Sequence, residues 1–74
     1  MRAISVKEVG HTADGKRIVD AFILADADPD PVPVTGQNVT GLTENDIFAP
    51  FSMLFVLDGP KTYVANESGR FTVL

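Results

Sequence analysis

The stretch that decides the fold runs from residue 47 to residue 57 and reads Ile-Phe-Ala-Pro-Phe-Ser-Met-Leu-Phe-Val-Leu. Pro50 has no backbone N–H to donate to a sheet, so the strand proper is predicted from Phe51 to Leu57. Residues 53–57 are all apolar, without the alternation of a half-buried strand, which is typical of a strand covered on both faces. In so short a chain, the second cover must come from the other hairpin or from another subunit.

A β-hairpin is predicted directly after this stretch. Asp58–Lys61 forms a turn, and Pro60 favours a loop longer than two residues because it lacks the N–H that closes a tight turn. Strands are predicted at residues 62–65 and 70–74, joined by Asn66-Glu67-Ser68-Gly69 with glycine where positive φ is needed. Pairing Asn66 with Arg70 places four side chains on one face: Tyr63, Ala65, Phe71 and Val73.

A second hairpin is predicted near the N-terminus. Residues 3–9 alternate apolar and polar side chains, residues 16–25 are rich in β-branched and aromatic ones, and Thr12–Gly15 repeats the pattern of the other turn. If Thr12 pairs with Lys16, the paired residues are Val9 with Val19, Val6 with Phe22, and Ile4 with Leu24. This register gives one apolar patch of Ile4, Val6, Phe22 and Leu24, and a like-charge pair, Glu8 with Asp20, as its weak point.

The acidic, proline-rich segment 26–37 is predicted to be an extended connector. Its three prolines remove backbone donors and exclude a central strand. Asp26, Asp28 and Asp30 alternate as calcium ligands do, but an EF-type loop needs glycine at its sixth position and glutamate at its twelfth, where this chain has Pro31 and Gln37. A solvated acidic loop is therefore favoured, and residues 38–46 are predicted to form a turn or a brief 3₁₀ segment.

These elements predict a single small, mostly β domain over residues 1–74. The expected architecture is an antiparallel meander of about five strands in two hairpins, or a small barrel or sandwich that oligomerisation completes.

Composition narrows the possible functions. The chain has no cysteine and one histidine, His11, so a disulfide is excluded and no metal or cofactor site is expected. The net charge of −4 disfavours nucleic acid and anionic membranes. Residues 1–8 lack an apolar run of signal-peptide length, and residues 47–57 are too short to span a membrane. Small folds without disulfides or metals often depend on association, which makes a homo-oligomer the expected state.

No catalytic pattern is visible, so an enzyme is not expected. Nucleophilic catalysis needs a base within reach of the nucleophile, and no sequence relation joins Ser5, Ser52 or Ser68 to His11, which lies in a predicted turn. The carboxylates fall mostly in predicted loops and turns, as solvated acids do.

Residues 50–71 read Pro-Phe-Ser-Met-Leu-Phe-Val-Leu-Asp-Gly-Pro-Lys-Thr-Tyr-Val-Ala-Asn-Glu-Ser-Gly-Arg-Phe. They resemble the short C-terminal β meander of many small proteins encoded among phage and prophage structural genes. The matching positions are Ser52, Tyr63, Ser68, Gly69 and Phe71. Two positions depart from the pattern, since Phe71 stands where tryptophan is common and Pro50 where glycine is. The resemblance implies a virion protein of the head-fibre, decoration or tail-region accessory type, assembled in the bacterial host cytoplasm, often trimeric and in contact with other virion proteins.

The predicted function is a non-enzymatic, virion-associated structural or assembly protein that self-associates through its apolar strand. The residues predicted for the interface are Phe48, Phe51, Met53, Phe55, Leu57, Tyr63 and Phe71. The alternative for the phenylalanines is the protomer's own core, and Tyr63 with Phe71 either pack the inner face of their hairpin or form a stacking platform. The alternative function is a monomeric acidic binding module that recognises a protein partner through residues 26–37.

Overall fold

Six β-strands and no helix make up the structure, a computed structural model that describes residues 1–74. In chain order the strands are β1 (Arg2–His11), β2 (Arg17–Ala25), β3 (Asp46–Phe48), β4 (Met53–Val56), β5 (Lys61–Ala65) and β6 (Phe71–Val73). They form one sheet in the order β1-β2-β4-β5-β6, and β3 also pairs with β2. The predicted mostly β fold is therefore confirmed.

The sheet is mixed rather than purely antiparallel. β1 pairs with β2, β4 with β5 and β5 with β6 in antiparallel fashion, as the two predicted hairpins require. β3 and β4, however, run parallel to β2. A parallel pair needs a crossover connection of about a dozen residues or more. Residues 26–45 supply it, because they carry the chain back before β3 begins.

The apolar stretch 47–57 contributes to two short strands along one edge of β2 rather than to a single strand from Phe51 to Leu57. β3 pairs with residues 17–19 and β4 with residues 22–25. The ladder is interrupted at residues 49–52, where Pro50 has no N–H to contribute. The fully buried hydroxyl of Ser52 bridges the gap: it donates to the carbonyl of Val19 at 3.2 Å and accepts from the N–H of Ala21 at 3.1 Å.

The N-terminal hairpin has the predicted turn but a different register. Gly15 has a φ of 90°, and its N–H donates to the carbonyl of Thr12 at 3.1 Å. Two bulges, between Glu8 and Gly10 and between Ala3 and Ser5, then displace the pairing. The predicted pairs Val9–Val19, Val6–Phe22, Ile4–Leu24 and Glu8–Asp20 are therefore wrong.

The bulge between Glu8 and Gly10 has an electrostatic consequence. Like charges directly opposite each other destabilise a sheet. The one-residue shift places Lys7 opposite Asp20, and Glu8 opposite Val19 instead. The predicted weak point of the hairpin is thus replaced by a pair of opposite charges.

The buried face of β2 is not the predicted apolar patch. Four alternating residues of β2 are buried in the core, namely Val19, Ala21, Ile23 and Ala25. Phe22 and Leu24 therefore point to the opposite side of the sheet, and Ile4 and Val6 on β1 remain exposed.

The C-terminal hairpin confirms the predicted register, with Tyr63 opposite Val73 and Ala65 opposite Phe71. Tyr63, Ala65 and Phe71 are buried, whereas Val73 is exposed at the edge of the sheet. Gly69 has a φ of 76°, and a Cβ there would lie 2.7 Å from the carbonyl oxygen of Phe48, so no other residue fits. The loop between β4 and β5 spans residues 57–60, longer than a two-residue turn, as predicted.

In the structure the predicted connector, residues 26–37, continues through the turn at residues 38–45, and this whole segment, called the connector from here on, covers the inner face of the sheet. It contains no strand, as predicted, and only Thr40 forms an isolated bridge, with Arg2. Val39 belongs to the buried core, Val32 and Leu42 pack against it, and Pro33 is buried. Residues 26–45 therefore act as the second layer of the fold.

We expect Ser52→Ala to lower the free energy of unfolding by about 1–3 kcal/mol, because the buried N–H of Ala21 then loses its acceptor. Ser68→Ala is the matched control, since its side chain is exposed, and a change within about 0.5 kcal/mol is expected there. Urea denaturation of both variants measures the difference. Equal midpoints for the two variants would show that the hydroxyl of Ser52 does not hold the interrupted ladder together.

Candidate functional site: the open face of the sheet

The outer face of the sheet has no cover within the protomer. Seven neighbouring side chains on this side of the sheet define the open face: Phe22, Leu24, Met53, Phe55, Thr62, Val64 and Thr72. Asp20 of β2 and Lys7 of β1 lie opposite each other on the same side of the sheet and border the open face. All seven are exposed or half-buried, whereas most residues that alternate with them are buried beneath the connector. None of the seven is charged. Contiguous exposed apolar surfaces of this kind mark interaction sites.

The open face is continuous across four strands. Phe22, Met53, Val64 and Thr72 follow one another on β2, β4, β5 and β6, and cross-strand neighbours lie about 5 Å apart. The next row contains Leu24, Phe55 and Thr62. The rings of Phe22 and Phe55 meet edge to face with centroids 6.1 Å apart, an arrangement that orders both aromatic side chains.

Phe51 stands at the margin of the open face in an unusual backbone conformation. Its φ is 71°, which costs a non-glycine residue about 1–2 kcal/mol, and its N–H donates to the carbonyl of Ala65 at 2.9 Å. The residue is 78% exposed, and it shares a surface groove with Pro50, Val64 and Thr72. A strained backbone that presents a large aromatic residue to solvent is the kind of outlier found at functional sites.

The seven residues predicted for the interface divide into two groups. Phe48, Tyr63 and Phe71 lie in the protomer's own core, where the rings of Phe48 and Phe71 are 4.8 Å apart. The accessible group comprises Phe51, Met53, Phe55 and Leu57, of which Met53 and Phe55 belong to the open face. Leu57 is exposed in the loop after β4.

Sequence reasoning missed Phe22, Leu24 and Val64 as members of this surface. The signal was present, because Phe22 and Leu24 alternate along β2 as Met53 and Phe55 do along β4. Period-2 alternation identifies residues that share a face, but it does not say which face is buried.

An ion pair between the half-buried Arg17 and the buried Asp46 fixes β3 against β2. Asp46 is almost fully buried, and its carboxylate accepts from Nε and Nη2 of Arg17 at 2.8 and 3.0 Å and from the N–H of Thr43 at 2.9 Å. The Arg17 guanidinium holds the pKa of Asp46 below its ordinary value of 3.8, although burial of the carboxylate acts in the opposite direction. Each hydrogen bond of the Asp46 carboxylate joins β3 to β2 or to the connector, so the carboxylate has a structural role.

Asp28 ties the connector to β5. Its carboxylate accepts from Nζ of Lys61 at 2.6 Å and from the hydroxyl of Tyr63 at 2.5 Å. The hydrogen bonds from Lys61 and Tyr63 lower the pKa of Asp28, and the bond to the carboxylate raises the pKa of Tyr63 above its ordinary value of 10.0. The hydroxyl of Tyr63 is thus engaged and its ring lies in the core, which leaves no stacking platform on this hairpin.

The residues considered for chemistry are separated in the structure. The hydroxyl of Ser52 is engaged in the sheet, and Nδ1 of His11 lies 3.5 Å from the carboxylate of Glu8. No three His, Asp or Glu side chains converge as metal ligands would, and Asp28 is bonded to Lys61 and Tyr63.

Comparison of the chain with protein-family models, curated proteins and solved structures gave no match. No helix of a length and apolarity suited to crossing a bilayer occurs in the structure.

The lowered pKa values of Asp46 and Asp28 predict an acid-sensitive fold. Both carboxylates have a pKa in the folded state that lies below the ordinary value of 3.8. Their contribution to stability is therefore complete above that pH, and it is lost as the pH falls through the lower folded-state values. We expect urea midpoints that are steady from about pH 5 to pH 7 and then decrease with acid.

Asp46→Asn should lower the midpoint at neutral pH and weaken this acid dependence, because the group that titrates is gone. Asp30→Asn is the control, since Asp30 forms no ion pair in the structure. An Asp46→Asn variant with the stability of the wild type at pH 7 would contradict a stabilising role for the pair.

Proposed function

We propose that this protein is a non-enzymatic structural or assembly protein that associates with copies of itself through the open face and the adjoining Phe51. The observation that carries the proposal is a sheet with one covered face and one uncovered apolar face. Burial of apolar surface contributes about 25 cal/mol per Å², so a second copy on the open face would stabilise both chains.

The distribution of charge supports a second copy as the occupant. The protein carries a net charge of −4, which makes two copies repel each other in general. The seven side chains of the open face are uncharged, and the two charged residues that border it, Asp20 and Lys7, have opposite signs. The centres of two such faces can therefore meet without placing like charges in contact. Phe51 adds a projecting aromatic residue of the kind that is enriched at protein interfaces.

The resemblance of residues 50–71 to phage structural proteins supports a virion component, with a trimer as the favoured assembly. In a trimer, three open faces would turn towards a common axis. Other virion proteins would then contact the remaining surface of each protomer.

The connector has less support as a partner site. Val32 packs against the core, Pro33 is buried, and Asp28 is bonded to Lys61 and Tyr63. Deletion of residues 28–33 would therefore expose the core, so a partner that bound this loop would have to recognise the connector in its packed form.

We expect Phe51→Gly to dissociate the assembly while leaving the protomer at least as stable as before. Glycine adopts the φ of 71° without strain, and its side chain no longer reaches a neighbouring copy. Light scattering after size exclusion, over a roughly hundredfold range of concentration, should give a multiple of 7.9 kDa for the wild type and 7.9 kDa for the variant.

Val34→Ala is the matched control for Phe51→Gly. Val34 is also an exposed apolar residue, but it lies in the connector on the other side of the sheet, so the assembly should persist. A wild-type protein that stays monomeric at every concentration, or a Phe51→Gly variant of unchanged mass, would refute the proposal.

Phe55→Asp provides a second test with a different chemical basis. Phe55 is half-buried in the protomer and would be buried in the assembly, where an unpaired carboxylate costs several kcal/mol. We expect loss of assembly by light scattering and a lower urea midpoint. An assembly of wild-type mass formed by this variant would exclude Phe55 from the interface.

A further inference from the structure

A second surface that lacks a partner lies at the edge of the sheet, in strand β1. β1 has ten residues and pairs only with β2, apart from the bridge between Arg2 and Thr40. Its β-branched side chains Ile4, Val6 and Val9 are exposed. A long edge strand of this kind is a template for pairing with another strand.

Both ends of the free edge are defined by the structure. Thr40 occupies the edge beside Met1 and Ala3, with hydrogen bonds of 2.9 Å to the N–H of Ala3 and 3.0 Å to the carbonyl of Met1. At the other end, the bulge between Glu8 and Gly10 bends the strand. The uninterrupted pairing of β1 between its two bulges runs from Ser5 to Glu8.

We propose that β1 pairs edge to edge with β1 of a second copy, antiparallel and about a two-fold axis that passes through Val6. This contact uses a different surface from the open face and does not depend on it. It would extend the sheet from one protomer into the next.

Charge selects this register from the alternatives. A two-fold axis normal to the sheet places residues of the same face opposite each other, so one residue of the strand meets its own copy. If the axis passed through Lys7 or Glu8, two like charges would be directly opposite, which is destabilising. If it passed through Ser5, the neighbouring strand would collide with Thr40 at Ala3.

An axis through Val6 avoids both problems. Val6 then lies opposite its own copy, and Ser5 lies opposite Lys7 of the second copy. Ile4 lies opposite Glu8 of the second copy, where the uninterrupted part of the strand ends, so this part stops before it reaches Thr40 at Ala3. The pair of valines is the β-branched cross-strand contact that sheets favour.

Cysteine cross-linking tests this register without interference, because the chain has no cysteine of its own. Opposite residues of antiparallel strands have Cα atoms about 4.5–5.5 Å apart, within the range of a disulfide. We therefore expect Val6→Cys to form a disulfide-linked dimer under mild oxidation, at least about tenfold faster than Val9→Cys.

Val9→Cys is a stringent control because Val9 is more exposed than Val6, at 52% against 39%. In the proposed register its two copies are roughly 20 Å apart, too far for a disulfide. A rate for Val6→Cys no higher than that for Val9→Cys would overturn the proposal.

A mixture of Ser5→Cys and Lys7→Cys chains gives an independent test of the register. These two positions lie opposite each other, so the mixture should yield a disulfide-linked heterodimer in preference to either homodimer. An excess of homodimers would exclude the axis through Val6.

Repeating the Val6→Cys reaction in the Phe51→Gly background separates the two contacts, because the β1 contact predicts the same cross-linking rate whether or not the open face associates.

Discussion

The structure depends on the way the side chain of Ser52 replaces a missing part of the β-ladder. Pro50 cannot donate to the sheet, so the strand parallel to β2 is broken into β3 and β4. The hydroxyl of Ser52 bonds to Val19 and Ala21 and keeps the two pieces in line. The side chain of Ser52 points into the core, and the preceding residue, Phe51, has a positive φ and projects into solvent. The interruption of the ladder therefore also places Phe51 on the surface.

The use of residues 26–45 as a cover explains why one face of the sheet stays open. A sheet must bury an apolar face against another layer, and this chain has no helix or second sheet to provide one. The connector provides it for the inner face only, held by Asp28 at Tyr63 and Lys61 and by Val39 in the core. Since 45% of the residues are hydrophobic, enough remain to make the outer face apolar as well.

The two proposed contacts have different chemistry and would act in different directions. The side chains of the open face, aromatic and aliphatic, project perpendicular to the sheet. The β1 edge instead offers backbone hydrogen bonds in the plane of the sheet. A protein with two separate surfaces for its own copies forms extended or shell-like assemblies rather than isolated dimers. Such geometry agrees with the proposed role of a structural component.

The sequence by itself determined the local structure. Both glycine-closed turns were predictable, and the pairing of Tyr63 with Val73 followed because the turn and the apolar alternation of that hairpin agree. The importance of residues 47–57 was also visible, since an apolar run without alternation needs cover on two sides.

Only the tertiary structure decided which way the strands run, which faces are buried and where β1 bulges. Phe48 and Phe51 have the same side chain and stand three residues apart, yet one is buried and the other is 78% exposed. Whether each side chain is buried or exposed depends on contacts with β2, the connector and the carbonyl of Ala65, which lie elsewhere in the sequence. Local patterns identify residues that share a face, whereas the identity of the inner face depends on which distant segment packs against it.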